Sequence, residues 1–193
     1  MWVVKLGGSL QENALLDDCL GAVGRRRAGS VVVVPGGGRF ADQVRDVQAR
    51  WDIDDRAAHA MAILAMAQSG FLLASLAPAM RLAAGPDEIR RALDEGRSVI
   101  WSALNLLDNP AGIEPGWATT SDSLALWLAT TLEPSGVVIV KSCAIAPHLS
   151  WEALSERGIV DRAFPAYAAR VPCPIRIIAA AEFPGWFSQT PGG

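Results

Sequence analysis

Cysteine is scarce in this chain, with three in 193 residues. Cys19, Cys143 and Cys173 are widely separated, and no histidine or cysteine accompanies them at metal-ligand spacing. Such a set excludes a disulfide framework and a zinc knuckle, and it reads as reduced thiols. Cys143, two residues after Lys141, has no recognisable partner base and reads as an inert buried thiol. Histidine is scarcer: His59 and His148 stand far apart and read as core or surface residues rather than a metal pair, so no metal ligand is assigned. An excess of positive charge is also missing. The formal net charge is -3 and no basic run exceeds Arg25-Arg26-Arg27, which leaves no electrostatic footprint for nucleic acid.

Long uninterrupted apolar runs are lacking as well. The most apolar stretch, 57–84, is broken by His59, Gln68, Ser69, Gly70, Pro78 and Arg81, and reads as buried helix rather than a membrane span. The first apolar residues reach Lys5 and Gly7-Gly8 too early for a secretory leader. The expectation is a cytoplasmic protein without a membrane or nucleic-acid partner. No repeat, low-complexity tract or Pro/Gly/Ser-rich linker divides the chain, so 1–193 reads as a single domain, long enough to bury roughly 70% of its unfolded surface.

Short β-branched runs are what the chain does have: 2–6, 31–34, 98–101, 137–140 and 175–178. Their continuous apolar character, rather than alternation, predicts strands buried on both faces, as in a mainly parallel sheet between helical layers. Helices are predicted over 11–27, 39–51, 54–84, 86–95, 121–132 and 151–157, which gives an α/β fold of three αβα layers. Thr119-Thr120-Ser121 is a hydroxyl-rich start that can cap the helix carrying Asp122. The tail from Phe183 onwards has no periodicity and is expected to end loosely.

Two glycine clusters sit where chemistry is expected in such a fold. Lys5-Leu6-Gly7-Gly8-Ser9 follows the first strand, and Pro35-Gly36-Gly37-Gly38-Arg39 follows the second. Glycines let the backbone approach an anion closely, and ligands of open α/β sheets bind beyond the carboxyl ends of the strands. Each cluster alone is also a plain strand-to-helix turn; two at one sheet edge argue for a phosphate site. Neither is a Walker A loop, and no Gly-x-Gly-x-x-Gly is present. Among the seven tryptophans, Trp101 and Trp117 are candidates to line a pocket for a flat ring.

Val4-Lys5-Leu6-Gly7-Gly8-Ser9, Val34-Pro35-Gly36-Gly37-Gly38 and Thr120-Ser121-Asp122-Ser123-Leu124-Ala125, in that order, resemble the motifs of the amino acid kinase family. The resemblance implies that Gly7, Gly8 and Ser9 surround the phosphoryl group of ATP, and that Gly36, Gly37, Gly38 and Ser121 hold the acceptor. It also implies that Lys5 and Lys141 stabilise transfer while Asp122 orients them, with ATP and Mg2+ as cofactors. The run 119–129, and less specifically 158–165, look most like the branch that phosphorylates aminomethylfuranmethyl phosphate in methanofuran and methylofuran biosynthesis. Family members commonly pair, so a homodimer is expected, with 57–84 supplying its face. After Lys141 the family has an Asp-Gly-Val-Tyr-like loop, whereas this chain has Ser142-Cys143-Ala144-Ile145 and a shortened nucleotide-binding part beyond it. A non-catalytic homologue acting as a ligand-binding or assembly subunit has the same motifs and stands as the alternative.

Overall fold

The computed structural model describes residues 1–108 and 113–190. Strands β1 (Trp2–Leu6), β2 (Val31–Pro35), β3 (Arg81–Ala83), β4 (Val99–Trp101), β5 (Gly136–Lys141) and β6 (Ile175–Ala179) form one sheet in the order β3-β4-β2-β1-β5-β6. Every neighbouring pair is parallel. The helices are α1 (Leu15–Gly24), α2 (Gly38–Trp51), α3 (Asp55–Leu76), α4 (Pro86–Asp94), α5 (Ser121–Leu132), α6 (Trp151–Glu156), α7 (Phe164–Ala168) and α8 (Phe183–Gln189).

The alternation of side chains along each strand creates two apolar layers. Val3, Val32, Val34, Val137 and Ile139 point to one face, where Leu124 and Leu128 of α5, Ile89 of α4 and Phe164 of α7 cover them. Val4, Leu6, Val33, Val138 and Val140 point to the other, under Leu16 and Leu20 of α1 and Phe183 and Phe187 of α8. Helix α3 serves both layers, giving Ile63 and Met66 to the first and Leu73 to the second. The central β1, β2 and β5 are buried on both faces, as their unbroken valine runs predict.

Four predicted elements differ. The helix expected over 11–27 is a 3-10 turn, Gly8–Glu12, followed by α1. Asn13 separates them in an extended conformation, and its side chain accepts the Leu15 amide at 3.0 Å, the local competition with helix that Asn favours. The helix expected over 54–84 ends at Leu76, because Pro78 pushes Ala77 out of the helical region, and the chain continues into β3. The hydroxyls of 119–121 do not cap α5: Thr120 makes no side-chain cap bond to its own helix. The aperiodic tail contains α8, fastened by edge-on packing of Trp186 against Trp2 at 5.8 Å; the last residues of the tail, for which a loose end is expected, reach outside the described residues. Helix α3 is long and apolar enough to cross a membrane by length and composition, yet half of its apolar window is buried inside the protein.

Candidate active site

The strand register sets the site. Lys5 pairs with Ile139 across β1 and β5, so Lys5 and Lys141, two residues further on, share one sheet face near the carboxyl ends of adjacent strands. Asp122 descends onto both from the first turn of α5. Its Oδ1 lies 2.7 Å from the Lys5 ammonium and its Oδ2 lies 2.5 Å from that of Lys141, with side-chain exposures of 5% for Lys5, 5% for Asp122 and 15% for Lys141. Asp122 is therefore a bridge between two buried cations, not a helix-end carboxylate facing solvent.

The electrostatics follow from this triad. Burial pushes the Asp122 carboxyl up, but the adjacent Lys5 and Lys141 ammoniums overcome it and hold the group below its ordinary value. Burial, then repulsion from Lys5, lowers Lys141 to about 8 against the attraction of Asp122. Two cations share one anion, so the triad carries an excess positive charge aimed at an anionic ligand.

Beside it opens a cavity of about 320 Å³, walled by the glycine turns, α2, α3 and the segment leading into α5. Gly8, Ser9, Gly36, Gly37, Gly38, Ser121, Lys5, Asp122 and Lys141 line it. The two turns press together: a methyl group on Gly8 would meet the backbone of Gly38, and one on Gly36 would meet that of Gly8. Gly38 also has φ +54, a conformation glycine tolerates without strain. Gly7 is apart from this wall, because its amide donates to the Val140 carbonyl at 3.0 Å. That bond makes it a hinge onto β5 rather than a free anion donor. The Gln11 amide braces the second turn by donating to the Gly36 carbonyl at 3.2 Å and to Ser69 Oγ at 2.7 Å.

The outer wall holds Trp117, a candidate from the sequence, together with Arg45 and Gln48, which local sequence does not mark. The Arg45 guanidinium lies over the Trp117 ring at 4.1 Å, and the Trp117 indole donates to Gln48 Oε1 at 2.6 Å. Trp117 lines the cavity, whereas Trp101 is fully buried and stacked on Trp127. His59 is buried at the cavity wall and bonded to the backbone of Gly116; desolvation lowers its pKa. His148 is exposed, and so is Cys143, contrary to the buried thiol expected. Only the one-turn spacing of Arg45 and Gln48 on a helix hints at a shared face; their meeting with Trp117 spans 69 residues. The start of α5 is capped from a distance: Asp161 accepts the Thr120 and Ser123 amides at 2.9 and 3.0 Å, the Thr120 hydroxyl at 2.9 Å and the Ser123 hydroxyl.

Comparison with known proteins bears on the family and the fold. The profile of the amino acid kinase family matches residues 1–144. The [5-(aminomethyl)furan-3-yl]methyl phosphate kinase of Methanocaldococcus jannaschii is 29% identical over 140 residues, covering 72% of this chain and 64% of that protein. The chain thus spans somewhat less than two-thirds of that relative's length. The crystal structure of uridylate kinase from Archaeoglobus fulgidus superposes with a TM-score of 0.72 at 17% identity, over 100% of this chain and 97% of that one. UMP kinase from Ureaplasma parvum gives 0.68 at 15% identity, over 95% and 91%.

Proposed function

Because the chain belongs to the amino acid kinase family, we propose that it is an ATP-dependent phosphotransferase whose acceptor is a small phosphorylated molecule, aminomethylfuranmethyl phosphate being the first candidate. The observation that carries the reading is the Lys5–Asp122–Lys141 triad set beside the two glycine turns. An oxygen of the acceptor phosphate attacks the γ-phosphorus of ATP, the bond to the β–γ bridging oxygen breaks, and ADP leaves. A phosphate monoester, with a second pKa of about 6, is largely a dianion at neutral pH, so the nucleophile needs no general base. Asp122 is not available as one, since both oxygens are engaged. Catalysis is then positioning and electrostatic: the two ammoniums neutralise charge gathering on the transferred group, and the glycine turns bring backbone close to the phosphates.

A magnesium ion would arrive with its nucleotide. Among the described residues no three His, Cys, Asp or Glu side chains cluster, and magnesium takes most of its oxygens from phosphates and water in such sites. When bound it supplies further charge neutralisation.

The identity of the acceptor rests on the M. jannaschii relative and on the aromatic wall at Trp117, which suits a flat ring. We further propose that the protein is cytoplasmic, that its sheet and helices act as one domain with a shortened nucleotide-binding end, and that two copies pair through α3. There Leu64, Phe71, Leu72 and Leu76 are exposed, Phe71 by 59%, an apolar strip that a second copy would cover. One observation favours a binding subunit instead: Ser142–Ala144 offers no carboxylate or glycine, and Ser142 Oγ is 2.8 Å from Ser9 Oγ.

Calorimetric titration with Mg-ATP, followed by assay of diphosphate formation from aminomethylfuranmethyl phosphate, tests the reading. Binding of both ligands with turnover is expected. No nucleotide binding at millimolar concentration refutes the transferase and leaves the binding subunit. Sedimentation of Phe71→Glu beside the parent chain tests the dimer.

A further inference from the structure

Asp161 stands outside the three motifs and beyond the family match at 1–144, yet it reaches the centre of the site. It lies between α6 and α7, and its carboxylate takes four hydrogen bonds from the residues on either side of Ser121 and Asp122: the amide and hydroxyl of Thr120, and the amide and hydroxyl of Ser123. The same segment is fastened again where the Ala163 amide donates to the Ala118 carbonyl at 2.9 Å, and Ser155 Oγ donates to the Asp161 carbonyl at 3.3 Å. The first turn of α5 cannot rotate without breaking these bonds. Since each oxygen of Asp122 holds an ammonium, any such rotation would carry Lys5 and Lys141 with it.

We infer that Asp161 is a positioning residue for phosphoryl transfer, locking the first turn of α5 so that Asp122 presents the Lys5 and Lys141 ammoniums together to the reacting phosphates. The inference rests on the transferase reading above. An ordinary helix cap would add stability alone; Asp161 also adds charge at the site. Its anion favours the ammonium form of Lys141, opposing burial and Lys5. Burial raises the Asp161 carboxyl itself, against the bonds from Ser123 and Thr120. The charged groups around Lys141 are Lys5 from β1, Asp122 from α5 and Asp161. Across the cavity, Arg39 pairs with Glu12 at 2.7 Å and Arg45 with Asp42 at 2.8 Å, while His59 stands on α3.

Asp161→Asn preserves shape and removes the charge. We expect kcat to fall about 10- to 100-fold, with KM within about twofold, as for a small misplacement of catalytic groups. The titration of Lys141, followed by NMR of the methylated lysine in the full chain without substrate, moves below its parent value of about 8. A folded Asp161→Asn with an unshifted Lys141 titration overturns the inference, and so does an unchanged kcat. If Asp161→Asn does not fold, Ser123→Ala removes one bond to Asp161 and keeps the charge; kcat then falls about 3- to 10-fold, and parent-like kcat overturns the inference. Absence of turnover in the parent chain refutes the transferase reading separately, and the substrate-free titration still decides whether Asp161 governs the triad.

Discussion

Asp122→Asn removes the one anion shared by two buried cations and leaves Lys5 and Lys141 facing each other. Their side chains expose 5% and 15%, so water screens them poorly. Breaking a buried pair by deleting one partner costs about 3–5 kcal/mol, which in a chain of this length lowers Tm by roughly 6–20 °C. The pH dependence has a definite sign. Lys141 in the parent protein is lowered to about 8, and Asp122 opposes that shift, so in the variant Lys141 sheds its proton at lower pH. Between the two values the variant's folded state binds fewer protons than the parent's, and its stability rises more steeply with pH. The parent's advantage is therefore greatest on the acid side of this window and shrinks as pH passes about 8. It shrinks again at strongly acid pH, once the Asp122 carboxyl, which the lysines hold below its ordinary value against burial, is protonated. Urea unfolding followed by tryptophan fluorescence at pH 7 and 9.5 measures both effects. A difference under about 1 kcal/mol at pH 7, or the same difference at both values, is incompatible with a buried triad.

Three further outcomes are expected. The ratio kcat/KM should fall as pH rises through about 8, because Lys141 of the free protein loses the proton that makes it an electrostatic stabiliser; a ratio independent of pH from 7 to 10 would remove Lys141 from the reaction. Gly8→Ala places a methyl group against the backbone of Gly38 and Gly36. The turns must separate, costing about 1–3 kcal/mol and about 100-fold in turnover; steady-state kinetics with parent-like values would show that their close approach is dispensable. Trp117→Ala removes the ring under Arg45 and the partner of Gln48, so KM for the acceptor should rise about tenfold with kcat nearly unchanged. A fall in kcat alone would place Trp117 in the transfer step instead.

Much of the fold was legible because it rests on local rules. The valine runs of β1, β2 and β5 are continuous rather than alternating since both faces are covered, and α5 was predictable to the residue. Strand β3 was not, because Arg81–Ala83 has only three residues and none is β-branched; it exists through pairing with β4. Helix α8 is not legible in the sequence because Pro184 and Gly185 hide its periodicity, and Trp2 supplies the surface that orders it.

The site divides along the same line. Residues at strand ends could be read directly: Lys5, the glycine turns and Lys141 follow runs whose direction and neighbours the parallel fold dictates, and Asp122 opens a clear helix. By itself the sequence determined that these groups gather at one edge of a buried sheet. Only the tertiary structure decided that Asp122 spends both oxygens on the two lysines, that Gly7 turns its amide to Val140, that Arg45 meets Trp117, and that Asp161 reaches back to the start of α5. Local propensity acts over a few residues, whereas these contacts join groups up to 133 positions apart, as Gly7 and Val140 are, and arise from packing and the pairing of buried charge.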